Sequence, residues 1–241
     1  MIDIHCHLLP EIDDGPQSMA EALILANYAV NNGIEKSIVT PHIHPGRYEN
    51  DLKKIQESYL SFKEVLEHRD VKLELGMAAE VRVCPEILPM ILQDRIPYLG
   101  VYEDYKIILL EFPHSHIPPG SDKLVKHLLK QGIKPMIAHP ERNKNVMNDL
   151  TKISPFVEMG CMLQITAGSL ANKFGNTCFE TSKELLIRNW VSVIATDAHN
   201  EQHRPPDLQQ GYKAAQLIMG PDKAQELVYD MPWSIVQSQF S

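Results

Sequence analysis

Apolar and β-branched residues of this chain gather in seven short runs, and between the runs the apolar positions recur at helical spacing. The runs are Met1–Ile4, Lys36–Thr40, Leu73–Ala79, Lys106–Leu110, Lys134–Ala138, Cys161–Ile165 and Val191–Ala195. Most are apolar without alternation, as expected of strands covered on both faces. A first helix is predicted from the S-x-x-E capping box of Ser18 and Glu21 to about Asn31, with Met19, Ala22, Leu23, Ala26 and Val30 at helical spacing. Gly33 ends it. A second is predicted over roughly Asp51–His68, with Leu52, Ile55, Tyr59, Phe62 and Leu66 on one face. Ser121 is expected to cap a third, stopped by Gly132. A fourth lies near Glu180–Asn189, and one or two more close the chain. Strands separated by helices imply an α/β fold of parallel strands with crossover helices. The pattern fits an open doubly wound sheet and a closed barrel equally well.

The ends of the runs carry the chemistry. The first exits into His5 and His7, the second into Thr40-Pro41-His42, the third into Glu80, and the fourth into Glu111. The fifth exits into His139 and the seventh into Asp197 and His199. The sixth has no such residue. C-terminal ends of parallel strands in a barrel share one face, so these side chains would converge there. Residues two apart on a strand point the same way, so His5 with His7, and Asp197 with His199, could each grip one ion. Imidazole and carboxylate together suit zinc, manganese or iron. A lone His or Glu at a strand exit is usually a loop cap. Eight at one rim would cost several kcal/mol per uncompensated charge, so a metal is implied. The number of candidate ligands exceeds the needs of one ion, and Glu80 or Glu111 could bridge two or three.

Composition narrows the classes. The chain has 241 residues, enough for a substantial core, and no linker, repeat or low-complexity tract divides it, so residues 1–241 read as a single domain. The net charge of −8 argues against non-specific binding to nucleic acid or anionic membrane. No apolar run approaches the ~20 residues of a membrane span, and no signal-peptide pattern opens the chain, so no membrane insertion is expected. Cys6, Cys84, Cys161 and Cys178 are scattered without a CxxC pair, which fits a reduced, cytoplasmic setting.

Seven motifs in order carry a resemblance: HCH at 5–7, DDGP at 13–16, TPH at 40–42, AAE at 78–80, LLEFP at 109–113, AHPER at 138–142 and TDAH at 196–199. Together they resemble the PHP (polymerase and histidinol phosphatase) superfamily. IDDGP at 12–16 and HNEQHRPP at 199–206 are similar to its bacterial capsule and exopolysaccharide branch of manganese-dependent tyrosine-protein phosphatases. The resemblance spans nearly the whole chain. It implies a distorted (β/α)7 TIM-like barrel of the PHP type with three metal ions, manganese before iron or zinc, at its C-terminal mouth. One ion would take His5, His7, Glu80 and Asp197. A second would take Asp14, His42 and His199, with adjacent Asp13 the alternative to Asp14. A third would take Glu80, Glu111 and His139, with Glu80 bridging.

The activity so implied is hydrolysis of a phosphomonoester, in which metals acidify a water and neutralise phosphate charge. Arg142, three after His139, and Arg204, five after His199, are the candidate catalytic arginines, because a guanidinium fork matches two phosphate oxygens. No Cys-x5-Arg loop is present, so a cysteinyl-phosphate route has no support. The polar loop His44-Pro45-Gly46-Arg47-Tyr48 beside His42 could contact substrate. The implied partner is the phosphotyrosine tail of a membrane-bound bacterial tyrosine autokinase governing polysaccharide export. A small-molecule phosphatase of the histidinol-phosphate kind is the alternative. An amidohydrolase barrel also begins with H-x-H, but it would need an eighth strand and a bridging lysine, and no lysine stands at a suitable strand exit. A metal-binding regulatory domain without turnover would keep the ligands and have no need of the arginines.

Overall fold

The computed structural model describes residues 1–240. Ten strands form: β1 Ile2–Cys6, β2 Lys36–Val39, β3 His42–Ile43, β4 Glu74–Met77, β5 Glu80–Arg82, β6 Gly100–Tyr102, β7 Tyr105–Glu111, β8 Ile133–Ala138, β9 Met162–Thr166 and β10 Val193–Ala195. The longer helices are α1 Met19–Asn31, α2 Leu52–His68, α3 Ile87–Leu92, α4 Ser121–Lys130, α5 Asn176–Ile187 and α6 Leu208–Met219. All seven predicted runs hold a strand. The third run holds β4, with β5 starting just beyond it at Glu80, and β3 extends the second beyond Pro41.

The strands lie in two sheets, ordered β1-β2-β4 and β10-β9-β8-β7-β5-β3. Every pairing within these orders is parallel. β6 departs from the all-parallel expectation by pairing antiparallel with β7. Its turn is Glu103-Asp104, both at positive φ (49° and 64°), the twist a two-residue hairpin needs. No glycine marks that turn, so the hairpin carried no sequence signal. The sheets are joined by backbone hydrogen bonds along β1 and by the chain itself between β4 and β5. On one side, Asp197 N donates to His5 O at 2.7 Å and His7 N to Ala198 O at 2.8 Å. On the other, only Ala78 and Ala79 separate β4 from β5.

Helix termini follow local chemistry. Ser18 Oγ accepts from Glu21 N, but the Glu21 carboxylate reaches past Ser18 to Gln17 N at 2.8 Å. Asp51 caps α2 by accepting from Lys54 N. Ser121 is not the cap expected of it: Gly120, at φ 86°, occupies that position, and the Ser121 hydroxyl donates to Pro118 O.

Strand alternation feeds two cores. The smaller draws on both sheets and includes Ile4, Ala78, Leu109, Met162 and Ala195. The larger lies under the helices and includes Leu110, Leu163 and Ile194. Two residues beyond the inner-core positions come Glu80, Glu111, Gln164 and Asp197: Glu111 and Gln164 share the inner face of β7 and β9, Glu80 opens β5, and Asp197 follows β10 at φ 52°. The polar layer is therefore the inner core continued by one pleat. β1 needs an extra device, because Ile2 and Ile4 belong to the inner core while Cys6 belongs to the outer one. A register shift between Asp3 and Cys6 switches the faces and brings His5 and His7 inward. No helix of the described residues is long and apolar enough to cross a membrane.

Candidate metal centre

The rim predicted from the strand exits forms. Ligand atoms of His5, His7, Glu80 and Asp197 all lie within 4.8 Å of one another, as do those of His7, Asp14, His42 and His199. A third group is His42, Glu80 and Glu111. The first set is the one the motifs implied. The second gains His7. In the third, His42 stands where His139 was expected; His139 Nε2 instead meets Glu80 Oε1 at 2.7 Å.

Five buried atoms of the candidate ligands lack any hydrogen-bond partner: His42 Nδ1, Glu80 Oε2, Glu111 Oε2, Asp197 Oδ1 and His199 Nε2. They are close enough to attract one another, as with His42 Nδ1 and Glu80 Oε2 at 3.0 Å, yet they are not aligned for hydrogen bonds. Orphaned polar atoms of this kind are costly in a protein interior unless something compensates them. Borderline or hard divalent cations fit the set, which is imidazole and carboxylate throughout.

The adjacent acids separate into two roles. Asp14 Oδ1 faces His42 Nε2 at 3.2 Å and His199 Nε2 at 3.5 Å, and its side chain is partly exposed at the mouth. Asp13 is buried and turned beneath the rim. Its Oδ2 accepts from His7 Nδ1 at 2.7 Å and from His42 N at 2.9 Å, and its Oδ1 accepts from Gly15 N. Burial pushes the Asp13 carboxyl upward, but the His7 imidazole and these hydrogen bonds outweigh it and hold the pKa at about 2. Glu80 is likewise held well below the usual range, since His5, His42 and His139 overcome its burial. Glu111 moves up, through burial and then the charge of Glu80.

Arg142 and Arg204 both close on Asp197 Oδ2. Both also line a cavity of about 110 Å³, together with Arg47, Arg82 and His114. Arg82 and His114 were not singled out from sequence, and Arg47 was named only within the loop that could contact substrate. Arg82 pairs with Glu111 Oε1 at 2.8 Å and stands two residues after Glu80, a spacing that could have found it. Arg47 lies over the Tyr48 ring at 4.8 Å, and Tyr48 stacks on His42 at 5.4 Å, so the loop does pack against the rim. His114 stacks on His139 at 5.6 Å and meets Arg142 Nη2 at 3.1 Å. An arginine can only donate, so His114 Nε2 accepts there. Burial, then the charge of Arg142, lowers the His114 pKa to about 4, which keeps that nitrogen free to accept.

The parallel strands and the His/Asp/Glu rim define an α/β protein with a candidate multinuclear metal site at the strand ends. The chain belongs to the CpsB/CapC family of capsular polysaccharide synthesis, whose family model matches residues 1–237. It is 36% identical to the tyrosine-protein phosphatase YwqE of Bacillus subtilis over 204 residues, covering 85% of this chain and 79% of that protein. Against the tyrosine-protein phosphatase CpsB of Streptococcus pneumoniae it is 31% identical over 248 residues, covering 99% of each. A crystal structure described as one of YwqE from B. subtilis and CpsB from S. pneumoniae, unique metal-dependent tyrosine phosphatases, superposes with a TM-score of 0.92 at 32% identity. That match covers 99% of this chain and 95% of the other.

Proposed function

We propose that the chain is a metal-dependent protein-tyrosine phosphatase, acting on the phosphotyrosine tail of a bacterial tyrosine autokinase that controls capsule or exopolysaccharide synthesis. The observation that carries this reading is the set of five orphaned buried ligand atoms beside an arginine-lined cavity. Its nine ligands are His5, His7, Asp14, His42, Glu80, Glu111, His139, Asp197 and His199. Manganese is the preferred ion. Residues 1–241 act as one unit in the cytoplasm, a setting its four free cysteines suit. The two sheets, linked by backbone hydrogen bonds at β1 and by the short β4–β5 step, support the distorted (β/α)7 barrel.

When bound, divalent ions supply a nucleophile from water at neutral pH and offset phosphate charge. Arg142 and Arg204 present guanidinium forks to the cavity and hold the phosphate oxygens. His114 accepts from Arg142 and steadies it. Glu80 is ionised and free of protons, as a shared ligand must be. No general acid is demanded, because a phenol with a pKa of about 10 leaves readily as phenolate.

The test is turnover of p-nitrophenyl phosphate and a phosphotyrosine peptide by Mn²⁺-loaded protein, with an alkyl phosphate alongside. Hydrolysis of the peptide is expected, together with loss of activity on chelation and recovery with Mn²⁺. Inactivity on both aryl substrates in fully loaded protein would end the reading. An alkyl preference of more than tenfold would redirect it to a small-molecule phosphatase.

A further inference from the structure

The sixth apolar run, strand β9, supplies no candidate ligand, since no His, Asp or Glu follows it. It does carry a polar residue in an otherwise apolar stretch, MLQIT, and that Gln164 is fully buried. By strand alternation Gln164 shares the inward face with Met162 of the inner core. Its Oε1 lies 2.8 Å from His5 Nδ1 and 3.4 Å from the backbone nitrogen of His139.

These two contacts fix a proton. The His139 backbone nitrogen can only donate, so the amide atom facing it is the oxygen. The same oxygen faces His5 Nδ1, so that nitrogen carries the hydrogen. In the neutral imidazole, the form that binds a metal, His5 Nε2 is then left with the lone pair. It points at Glu80 Oε2 at 3.4 Å and Asp197 Oδ1 at 3.3 Å, the carboxylate oxygens of its candidate metal set. The reversed amide would present N–H to both contacts, clash with the His139 N–H, and force the proton onto Nε2, where it would block coordination.

Gln164 also supports His139, whose backbone is left-handed at φ 32°, a conformation uncommon for a residue with a side chain. One oxygen thus holds residues from two strands, a rim imidazole and a bent backbone. His7 and His199 have counterparts: His7 Nδ1 meets Asp13, and His199 Nδ1 meets the Asp197 carbonyl at 2.9 Å. Outer partners of this kind orient metal-binding imidazoles and raise their basicity.

We propose that Gln164 is a positioning residue of the metal centre, setting the His5 tautomer and seating His139 from β9, a strand that supplies no candidate ligand. This rests on the metal reading of the rim. The experiment measures Mn²⁺ and Zn²⁺ affinity by titration calorimetry, with bound metal counted by elemental analysis, in wild type, Gln164→Leu and Gln164→Glu. Gln164→Leu keeps the bulk and removes the acceptor, and should weaken binding by about 10–100-fold. Gln164→Glu keeps an acceptor oxygen toward His5 and should bind within a few-fold of wild type. A purely structural role would lower the metal-free melting temperature of both variants and would not be rescued by glutamate. Should Gln164→Leu not fold, nitrogen NMR of zinc-loaded wild type reads the same point: the His5 hydrogen belongs on Nδ1, and finding it on Nε2 overturns the proposal. Equal affinity in Gln164→Leu and wild type overturns the proposal alone. Failure of the wild type to take up any ion removes the metal reading and the proposal with it.

Discussion

Asp13 lies beneath His7, its Oδ2 accepting from the imidazole Nδ1 at 2.7 Å with both side chains buried. That contact distinguishes two adjacent acids, of which the sequence pointed to Asp14 as the ligand with Asp13 the alternative. Asp14 points into the rim, while Asp13 supports it from below. Replacing Asp14 by Ala should therefore remove one ion per chain. Replacing Asp13 by Ala should leave the stoichiometry unchanged at saturating metal but weaken affinity about 10–100-fold, the usual cost of losing an imidazole's outer partner. Elemental analysis and a metal titration check both; stoichiometry lost in Asp13→Ala and kept in Asp14→Ala would reverse the assignment.

Arg142 and Arg204 share a single oxygen of Asp197. Neither supplies a metal ligand, so metal content should not change when either becomes alanine. Turnover should. Each substitution is expected to lower kcat/KM on a phosphotyrosine peptide by about 10²–10³-fold, the range seen when one fixed donor to a reacting oxyanion is lost. A regulatory metal-binding domain without chemistry would show no such separation.

The cysteines provide an independent check on mechanism. Burial pushes the Cys161 and Cys178 thiols up to about 12 and Cys84 up to about 11. A raised thiol pKa keeps the proton on at neutral pH. At pH 8 a thiol of pKa 12 is ionised in about one molecule in ten thousand, and only the thiolate reacts quickly. Brief treatment of the folded, metal-loaded protein with N-ethylmaleimide at pH 8 should leave turnover of p-nitrophenyl phosphate intact. Rapid inactivation would instead point to a cysteine in the chemistry.

Most candidate ligand positions were legible because ligand-type side chains at the ends of apolar runs are expensive and visible. His5, Glu80 and Asp197 stood out as ionisable side chains at the exits of apolar runs, and strand alternation said which neighbours shared their face. The split of His42 between two ligand groups was not legible, since it depends on ring orientation across strands β3 and β5. Gln164 was visible as a polar letter in an apolar run, but an uncharged amide raised no alarm. The β6–β7 hairpin was hidden because Glu103 and Asp104 adopt positive φ without the usual glycine or asparagine signal. Ser121 misled as a cap because Gly120, with no side chain to contribute, supplied the backbone geometry instead.

The C-terminal segment offers a stability test remote from the chemistry. Ile235 and Val236 are fully buried in the inner core near the N-terminal ends of the strands, beside Ile2, Ile107 and Val193. Trp233 remains more than a third exposed and stacks on Phe240. The segment passes so close to Gly100 that a Cβ there would come within 2.0 Å of Ile235 O. Ile235→Ala should cost about 2–5 kcal/mol, from lost burial and the cavity left behind. Gly100→Ala should destabilise too, by driving the Ile235 backbone off its seat. Trp233→Ala should cost far less. Urea denaturation ranks the three, and because this segment closes the end of the inner core away from the rim, the folded fraction of each should retain wild-type metal affinity. A loss of affinity in folded Ile235→Ala would show that the two ends of the core are coupled.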